Sequence, residues 1–314
     1  MRPQPTPGRT DDIDLRVSGV WATVLAGGAG RRLASVTGGV PKQFWAMSDD
    51  GRTLLAMTLA RIAPLVRSTQ TVVVVDQAHE PYLRRLSHTL PAQRLLRQPC
   101  DRGTAAGILF GIMPALESAR DPVLLITPSD HGVVDAGGFQ AAIRAAVVRV
   151  GSGLQPAILF GAEPTEDDGD YGWITPGATD RAPHGVTLRP VASFVEKPPA
   201  DEAARLRASG AVWNTMVLVI RSSTLLALYR RHLPTLTAVF DQALHLPAPT
   251  RYAFLQDQYG QLPARDFSRD VMTPATGVWV HRLPAALGWS DLGTPIRVQQ
   301  WFGNIDASAR LRSA

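Results

Sequence analysis

The chain has 314 residues, 45% of them hydrophobic, which is enough to bury the core of one large α/β domain. Its net charge is +5, but the basic residues are scattered through every segment with no basic run, which argues against a nucleic-acid-binding stripe. No apolar run approaches the roughly 20 residues of a membrane-spanning helix, and the single cysteine, Cys100, excludes an internal disulfide and fits a reducing, cytoplasmic location.

Met1 to Gly19 is rich in Pro, Arg and Asp, has no apolar core of a secretory signal, and is read as a mobile tail. Val20 to Leu25 predicts a strand followed at once by a glycine-rich turn. Leu54 to Leu65 has helical spacing, and TVVVVD, Thr71 to Asp76, is a β-branched run of the kind buried in a parallel sheet. Thr104 to Leu116 predicts a helix, Pro122 to Thr127 (PVLLIT) a buried strand, Phe139 to Val150 a helix and Ala157 to Phe160 a strand. This βαβα alternation predicts a mostly parallel, doubly wound sheet with helices on both faces. Beyond it, Glu163 to Gly177 reads as an acidic loop leading into a short strand. Val191 to Val195 and Val212 to Ile220 read as strands, and Arg221 to Phe254 as mainly helical with breaks at Pro234, Pro247 and Pro249. Val278 to Leu283 is a late strand and Thr294 to Phe302 the last helix. With no internal repeat and no clear linker, residues 20–314 are expected to form a single domain.

The first chemical motif is LAGGAGRRL, Leu25 to Leu33, directly after a strand. Glycines let the backbone turn tightly and aim successive N–H groups at phosphate oxygens, and Arg32 adds a cation. The spacing is neither a Walker loop nor G-x-G-x-x-G, so a purely structural turn remains an equal alternative at this point. The second motif is PKQF, Pro41 to Phe44. Of the 32 basic residues only Lys42 and Lys197 are lysine. In so Arg-rich a chain a thin, compact point charge asks for a reason, and a narrow phosphate site is one.

LAGGxGxRL followed by PKQF resembles the mannose-1-phosphate guanylyltransferases, within the wider sugar-1-phosphate nucleotidyltransferases. Five later segments and the terminal one extend the resemblance in unbroken order over about residues 20–300. DRGTAAGI (Asp101 to Ile108) resembles the family's RNTAPAI, and TPSDH (Thr127 to His131) its P-[SA]-D-H. DYGWITPG (Asp170 to Gly177) resembles G-Y-G-Y-I, FVEKP (Phe194 to Pro198) F-x-E-K-P, VWNTMV (Val212 to Val217) W-N-x-G, and GWSDLGT (Gly288 to Thr294) W-x-D-x-G.

The resemblance implies a Rossmann-like fold with the site at the carboxyl ends of its strands. It implies that Leu25, Ala26, Gly27, Gly28, Gly30, Arg32, Lys42 and Asp130 hold a nucleoside triphosphate, with Arg102 and Thr104 near the base. Asp130 and Asp291 would share a Mg²⁺, an ion that prefers oxygen donors. Gly172, Glu196, Lys197 and Asn214 would hold the sugar phosphate, Lys197 taking its phosphate. The implied catalytic set is Arg32, Lys42, Asp130, Lys197 and Asp291. From the residues alone, Asp130 could instead cap a helix ahead of Val133 to Gly138, and Asp291 the helix from Thr294. His131 reads as structural, since Mg²⁺ disfavours imidazole, and Trp173 and Trp213 as packing residues. Cys100 reads as a small core residue or a bystander.

The expected reaction is in-line attack by a sugar-1-phosphate oxygen on the α-phosphorus of the nucleotide, with release of pyrophosphate. A phosphate monoester already ionises near pH ~6, so no general base is required. GTP and mannose 1-phosphate are the favoured substrates. Another hexose or cyclitol 1-phosphate or another base is the alternative within enzymes, and a catalytically silent regulatory homologue the alternative outside them. No nucleic acid and no membrane are expected as partners, and a homodimer is allowed for. Three features depart from the family: Gly103 where Asn is usual, Met216 where a small residue is usual, and Ala34 and Ser35 after the glycine loop in place of a proline. No C-terminal β-helix or cupin domain is expected within these 314 residues.

Overall fold

The computed structural model describes residues 19–28, 30–47, 51–83, 94–178 and 188–312. The predicted tail lies outside the described residues except for Gly19. In chain order the first half contains β1 (Val20–Ala26), α1 (Ala34–Thr37), α2 (Leu54–Ile62), β2 (Thr71–Asp76), α3 (Glu80–Leu83), β3 (Leu95–Gln98), α4 (Gly103–Ser118), β4 (Val123–Pro128) and α5 (Ala136–Gly151). The second half contains β5 (Ala157–Ala162), β6 (Gly172–Pro176), β7 (Leu188–Glu196), α6 (Ala200–Ala208) and β8 (Val212–Arg221). It ends with α7 (Ser222–His232), α8 (Pro234–Leu244), α9 (Ala248–Tyr259), β9 (Trp279–Leu283) and α10 (Pro295–Arg312).

The nine strands form one sheet in the order β3-β2-β1-β4-β8-β5-β9-β7-β6. Strands β1 to β4 pair in parallel, as their β-branched runs predict. The strand inserted next, β8, runs antiparallel to both β4 and β5. β9 returns parallel to β5, and β7 lies antiparallel between β9 and β6. β6 also pairs with the start of β8 through Trp173 and Ile174, so five strands of the second half close on one another. The α/β class is as expected, but the sheet is mixed rather than mostly parallel, because β8 enters antiparallel between β4 and β5 and β7 runs antiparallel to both of its neighbours.

Alternation along the strands feeds two cores. Val72 and Val74 of β2 pack under α4, α7, α8 and α9 on one face, while Val73 and Val75 pack under α2 and α5 on the other. The prolines expected to interrupt the long helical stretch instead start new helices: Pro234 opens α8 and Pro247 precedes α9. Several elements had no predicted counterpart: the short helices α1 and α3, the strand β3, α6 and a π-helical turn at Ser268–Met272. No helix among the described residues is long and apolar enough to cross a membrane.

Candidate active site

The carboxyl ends of β1 and β4 meet where the Ser129 N–H donates to the Leu25 carbonyl at 3.0 Å. The glycine loop leaves β1 at this point. Its shape is held by Gln43, whose buried amide donates to the Ala26 carbonyl at 2.8 Å and the Gly28 carbonyl at 2.9 Å. Gly30 has φ 62°, and a Cβ there would lie 2.8 Å from the Lys42 backbone nitrogen, so only glycine lets loop and lysine meet. Beside the loop lies a cleft of about 330 Å³ lined by Leu25, Gly27, Gly28, Gln98, Thr104 and Asp130, among others.

Lys42 is the centre of the site. Its side chain is 8% exposed, its Nζ lies 3.1 Å from Asp130 Oδ2, and it donates to the Asp291 backbone carbonyl. Burial would raise the Asp130 pKa, but Lys42 and His131 beside it hold the carboxyl below its usual range. The turn carrying Asp130 is pinned from α2, where Thr58 Oγ1 donates to the Ser129 carbonyl and Arg61 Nη2 to the His131 carbonyl at 3.1 Å. His131 packs edge-on against Trp289 and is mostly enclosed, and that desolvation pushes its pKa down to about 4, so the ring is neutral near pH 7. Neither aspartate is a helix cap. Asp135 caps α5 and the Thr294 hydroxyl receives the Arg297 N–H at the start of α10.

Asp291 is held on several sides. Its Oδ1 accepts from the Tyr171 hydroxyl at 2.7 Å, the Gly293 N–H at 3.0 Å and Arg297 Nη1 at 3.1 Å. Arg297 Nη1 also lies 3.2 Å from Oδ2. Arg32 stands apart and exposed, paired with Asp170 at 2.9 Å.

The second half of the site is more open. Tyr171 links the two halves, since its carbonyl accepts the Lys197 N–H at 3.1 Å. Gly172 pairs with Glu196 across β6 and β7, and a Cβ on Gly172 would fall 2.5 Å from Glu196 Oε2. The Lys197 side chain is 58% exposed and contacts Glu196 Oε1 at 2.7 Å, on a backbone with φ 51°. Asn214 is buried and already committed: its Oδ1 accepts the Met216 N–H at 3.0 Å and its Nδ2 donates to Ser268 Oγ at 3.3 Å.

Two of the three departures lie at positions with left-handed backbone, where Gly103 is accounted for and Met216 is not. Gly103 has φ 79°, and a Cβ there would run into the Arg265 carbonyl. Met216 has φ 56°, the left-handed region that favours glycine, and its sulfur accepts from Ser268 Oγ at 2.9 Å. Met216 and Asp266 both line the cleft, and Asp266 Oδ2 accepts from the Thr104 hydroxyl at 3.3 Å. Arg102 donates to the Gly260 carbonyl and is not among the residues lining the cleft. Trp173 and Trp213 are buried together with Tyr171 and Ala203, and Cys100 packs half-buried against the larger core.

Sequence reasoning missed Gln43, Gln98, Tyr171, Asp266 and Arg297. Gln43 was within reach, because it sits inside PKQF next to the lysine. Gln98 is buried on the short strand β3, accepts from the Tyr259 hydroxyl at 3.1 Å, and directs its amide at the space a Gly27 side chain would fill.

Among the described residues no group of three or more His, Cys, Asp or Glu is placed to hold a metal, so the carboxylates of Asp130 and Asp291 are the oxygen donors on offer to a Mg²⁺. Asp130 is 32% exposed and offers a carboxylate edge, and Asp291 keeps an Oδ2 with one bonded partner. Lys42 already balances part of the charge, so an ion there would need the extra negative charge of phosphates, in line with the usual Mg²⁺ site of one or two carboxylates plus substrate.

Residues 21–302 match the family model described as nucleotidyl transferase. The chain is 29% identical over 302 residues to the xanthan biosynthesis protein XanB of Xanthomonas campestris, covering 93% of this chain and 60% of that one. It is 27% identical over 285 residues to the mannose-1-phosphate guanylyltransferase of Escherichia coli, covering 88% and 58%. The chain thus spans less than two thirds of these relatives. A Thermus thermophilus crystal structure described as a mannose-1-phosphate geranyltransferase superposes with a TM-score of 0.74 at 30% identity, covering 88% of this chain and 76% of that one. The inositol-1-phosphate CTP transferase of T. maritima shares the fold, with a TM-score of 0.53 at 15% identity, 90% of this chain and 95% of that one being covered. The chain belongs to the nucleotidyl transferase family.

Proposed function

We propose that this chain transfers a nucleoside monophosphate from a nucleoside triphosphate to a sugar 1-phosphate and releases pyrophosphate, with GTP and mannose 1-phosphate as the substrates. The observation that carries this reading is the buried Lys42 ammonium between the Asp130 carboxylate and the Asp291 carbonyl, at the mouth of the glycine loop. A cation fixed there meets the charge of a triphosphate without reorganising. The glycine-loop N–H groups and Arg32 would take the β- and γ-phosphates once Arg32 leaves Asp170. Lys197 would hold the incoming sugar phosphate, and Glu196 would accept hydroxyl hydrogens of the ring.

The attacking oxygen belongs to a phosphate monoester that is mostly dianionic near neutral pH, so the chain supplies position and charge rather than a base. The neutral His131 is consistent with that. Mg²⁺, held by Asp130 and Asp291 together with phosphate oxygens, would neutralise charge on the transferring phosphoryl group.

Met216 and Asp266 in the cleft favour one further reading, a different sugar or cyclitol 1-phosphate, or a different base. A silent homologue is opposed by the intact Lys42, Asp130, Lys197 and Asp291. Pyrophosphate release over five nucleotides and a panel of sugar 1-phosphates, with Mg²⁺, separates the three. GTP with mannose 1-phosphate should turn over fastest. A faster pair would reassign the substrates, and no turnover with any pair would favour the silent homologue.

A further inference from the structure

Arg297 is an expensive residue for the place it occupies. Its side chain is 7% exposed, and its guanidinium lies 4.4 Å over the Tyr171 ring. Three carboxylates converge on it: Asp291 at 3.1 Å from Nη1, Asp168 on Nη2, and Glu166 at 3.7 Å from Nε. Desolvating such an ion is costly, and apolar packing of similar volume often serves stability as well. The guanidinium does something an apolar side chain could not, which is to orient a carboxylate.

The torsion that swings an aspartate carboxylate is broad and two-fold when nothing holds it. At Asp291 the two oxygens are treated unequally. Oδ1 accepts from the Tyr171 hydroxyl, the Gly293 N–H and Arg297, whereas among the described residues Oδ2 accepts from Arg297 alone. Oδ1 is therefore filled, and Oδ2 keeps a lone pair to offer. The anchor for Arg297 is itself fixed, because Asp168 Oδ1 accepts the Asp170 N–H at 2.7 Å and the Asp168 carbonyl accepts from Trp173 Nε1 at 3.0 Å. The same short loop carries Asp170, the partner of Arg32.

We infer that Arg297, with Tyr171, is a positioning residue that presents Asp291 Oδ2 to the divalent ion. This rests on the reading of Asp291 as a metal ligand. Through Asp168 and Asp170 it also ties the carboxylate to the loop that parks the phosphate-binding Arg32.

The test is Mn²⁺ affinity by electron paramagnetic resonance in the presence of inorganic pyrophosphate, which supplies phosphate oxygens without committing to a base. Arg297→Met should weaken Mn²⁺ binding by about 10–100-fold, the usual effect of losing a residue that orients a metal ligand. Arg297→Lys should recover part of the loss, because a point charge cannot replace a fork. Tyr171→Phe should weaken binding several-fold with little effect on the melting temperature, and it decides the matter if Arg297→Met does not fold. Wild-type Mn²⁺ affinity in the folded Arg297→Met protein, or in Tyr171→Phe, overturns the inference and leaves the metal reading standing. No Mn²⁺ binding by the wild-type protein removes the metal role of Asp291 and this inference with it.

Discussion

Lys42 and Lys197, the two lysines of the chain, are placed in opposite ways. Lys42 is buried, with its charge met by a carboxylate and a carbonyl that come from 88 and 249 positions further along the chain. The Lys197 side chain is more than half exposed, and among the described residues its ammonium pairs with the residue beside it, Glu196. The first lysine is fixed before any ligand arrives. The second has few bonds to break and can follow one. On the proposed function, the preorganised lysine would meet the nucleotide and the adaptable one the sugar phosphate, as expected when one phosphate must be held still while another is brought in line.

This contrast sets the order of expected effects. Lys42→Met should be the most damaging change, lowering kcat by about 10²–10³-fold, because it removes a preorganised cation and leaves the Asp130 carboxylate without its partner. Steady-state kinetics on protein shown to be folded by circular dichroism checks it. Lys197→Met should act mainly on KM for the sugar 1-phosphate, raising it about 10-fold, the worth of one charge-assisted hydrogen bond that is well hydrated in the free protein. An equal loss in both variants would erase the distinction between the two lysines. Met216→Gly relieves a left-handed backbone and opens the cleft. It should shift the kcat/KM ratio between two sugar 1-phosphates or two bases by about 10-fold, with a smaller effect on the rate of the preferred pair. Gly103→Asn, although it restores the family residue, should destabilise the fold by about 1–3 kcal/mol, because the Arg265 carbonyl fills the space of its Cβ. A urea midpoint at or above the wild-type value would contradict this.

The mostly enclosed His131 adds a pH test of the surroundings of Lys42. Its folded pKa, about 4, lies below the ordinary value of 6.5, because burial disfavours the charged ring. The unfolded chain therefore binds a proton that the folded chain does not, and stability falls as the pH drops from about 6.5 towards 4, by about 3 kcal/mol over the window. His79 is shifted in the same direction and contributes in the same range. His131→Gln should flatten the slope of unfolding free energy against pH, and an unchanged slope would mean that His131 is not buried in its neutral form.

What the sequence made legible follows the range of the interactions. Thr71–Asp76 and Val123–Pro128 were readable because a buried parallel strand must be apolar on both faces. The four-residue strand Leu95–Gln98, with Arg97 and Gln98 in it, carries no such signal. The antiparallel entry of β8 between β4 and β5 was not readable, since strand direction is set by tertiary packing and not by composition. At the site, the ordered motifs named Lys42, Asp130 and Asp291. They could not show that Asp291 is clamped by Tyr171, 120 positions away. Arg297 was one arginine among 30. The segment from Arg265 to Met272 turns through a π-helix without hydrophobic periodicity, so Asp266 and Ser268 had no pattern to betray them.

The most direct test of the central claim is pyrophosphate release from GTP and mannose 1-phosphate in Mg²⁺, measured for the wild-type protein and for Asp291→Asn. The wild type should release one pyrophosphate per nucleotide-sugar formed, and turnover should be nearly abolished in the variant. Near-normal turnover by Asp291→Asn would contradict the claim, because the carboxylate that Arg297, Tyr171 and Gly293 hold in place would then have no part in the reaction.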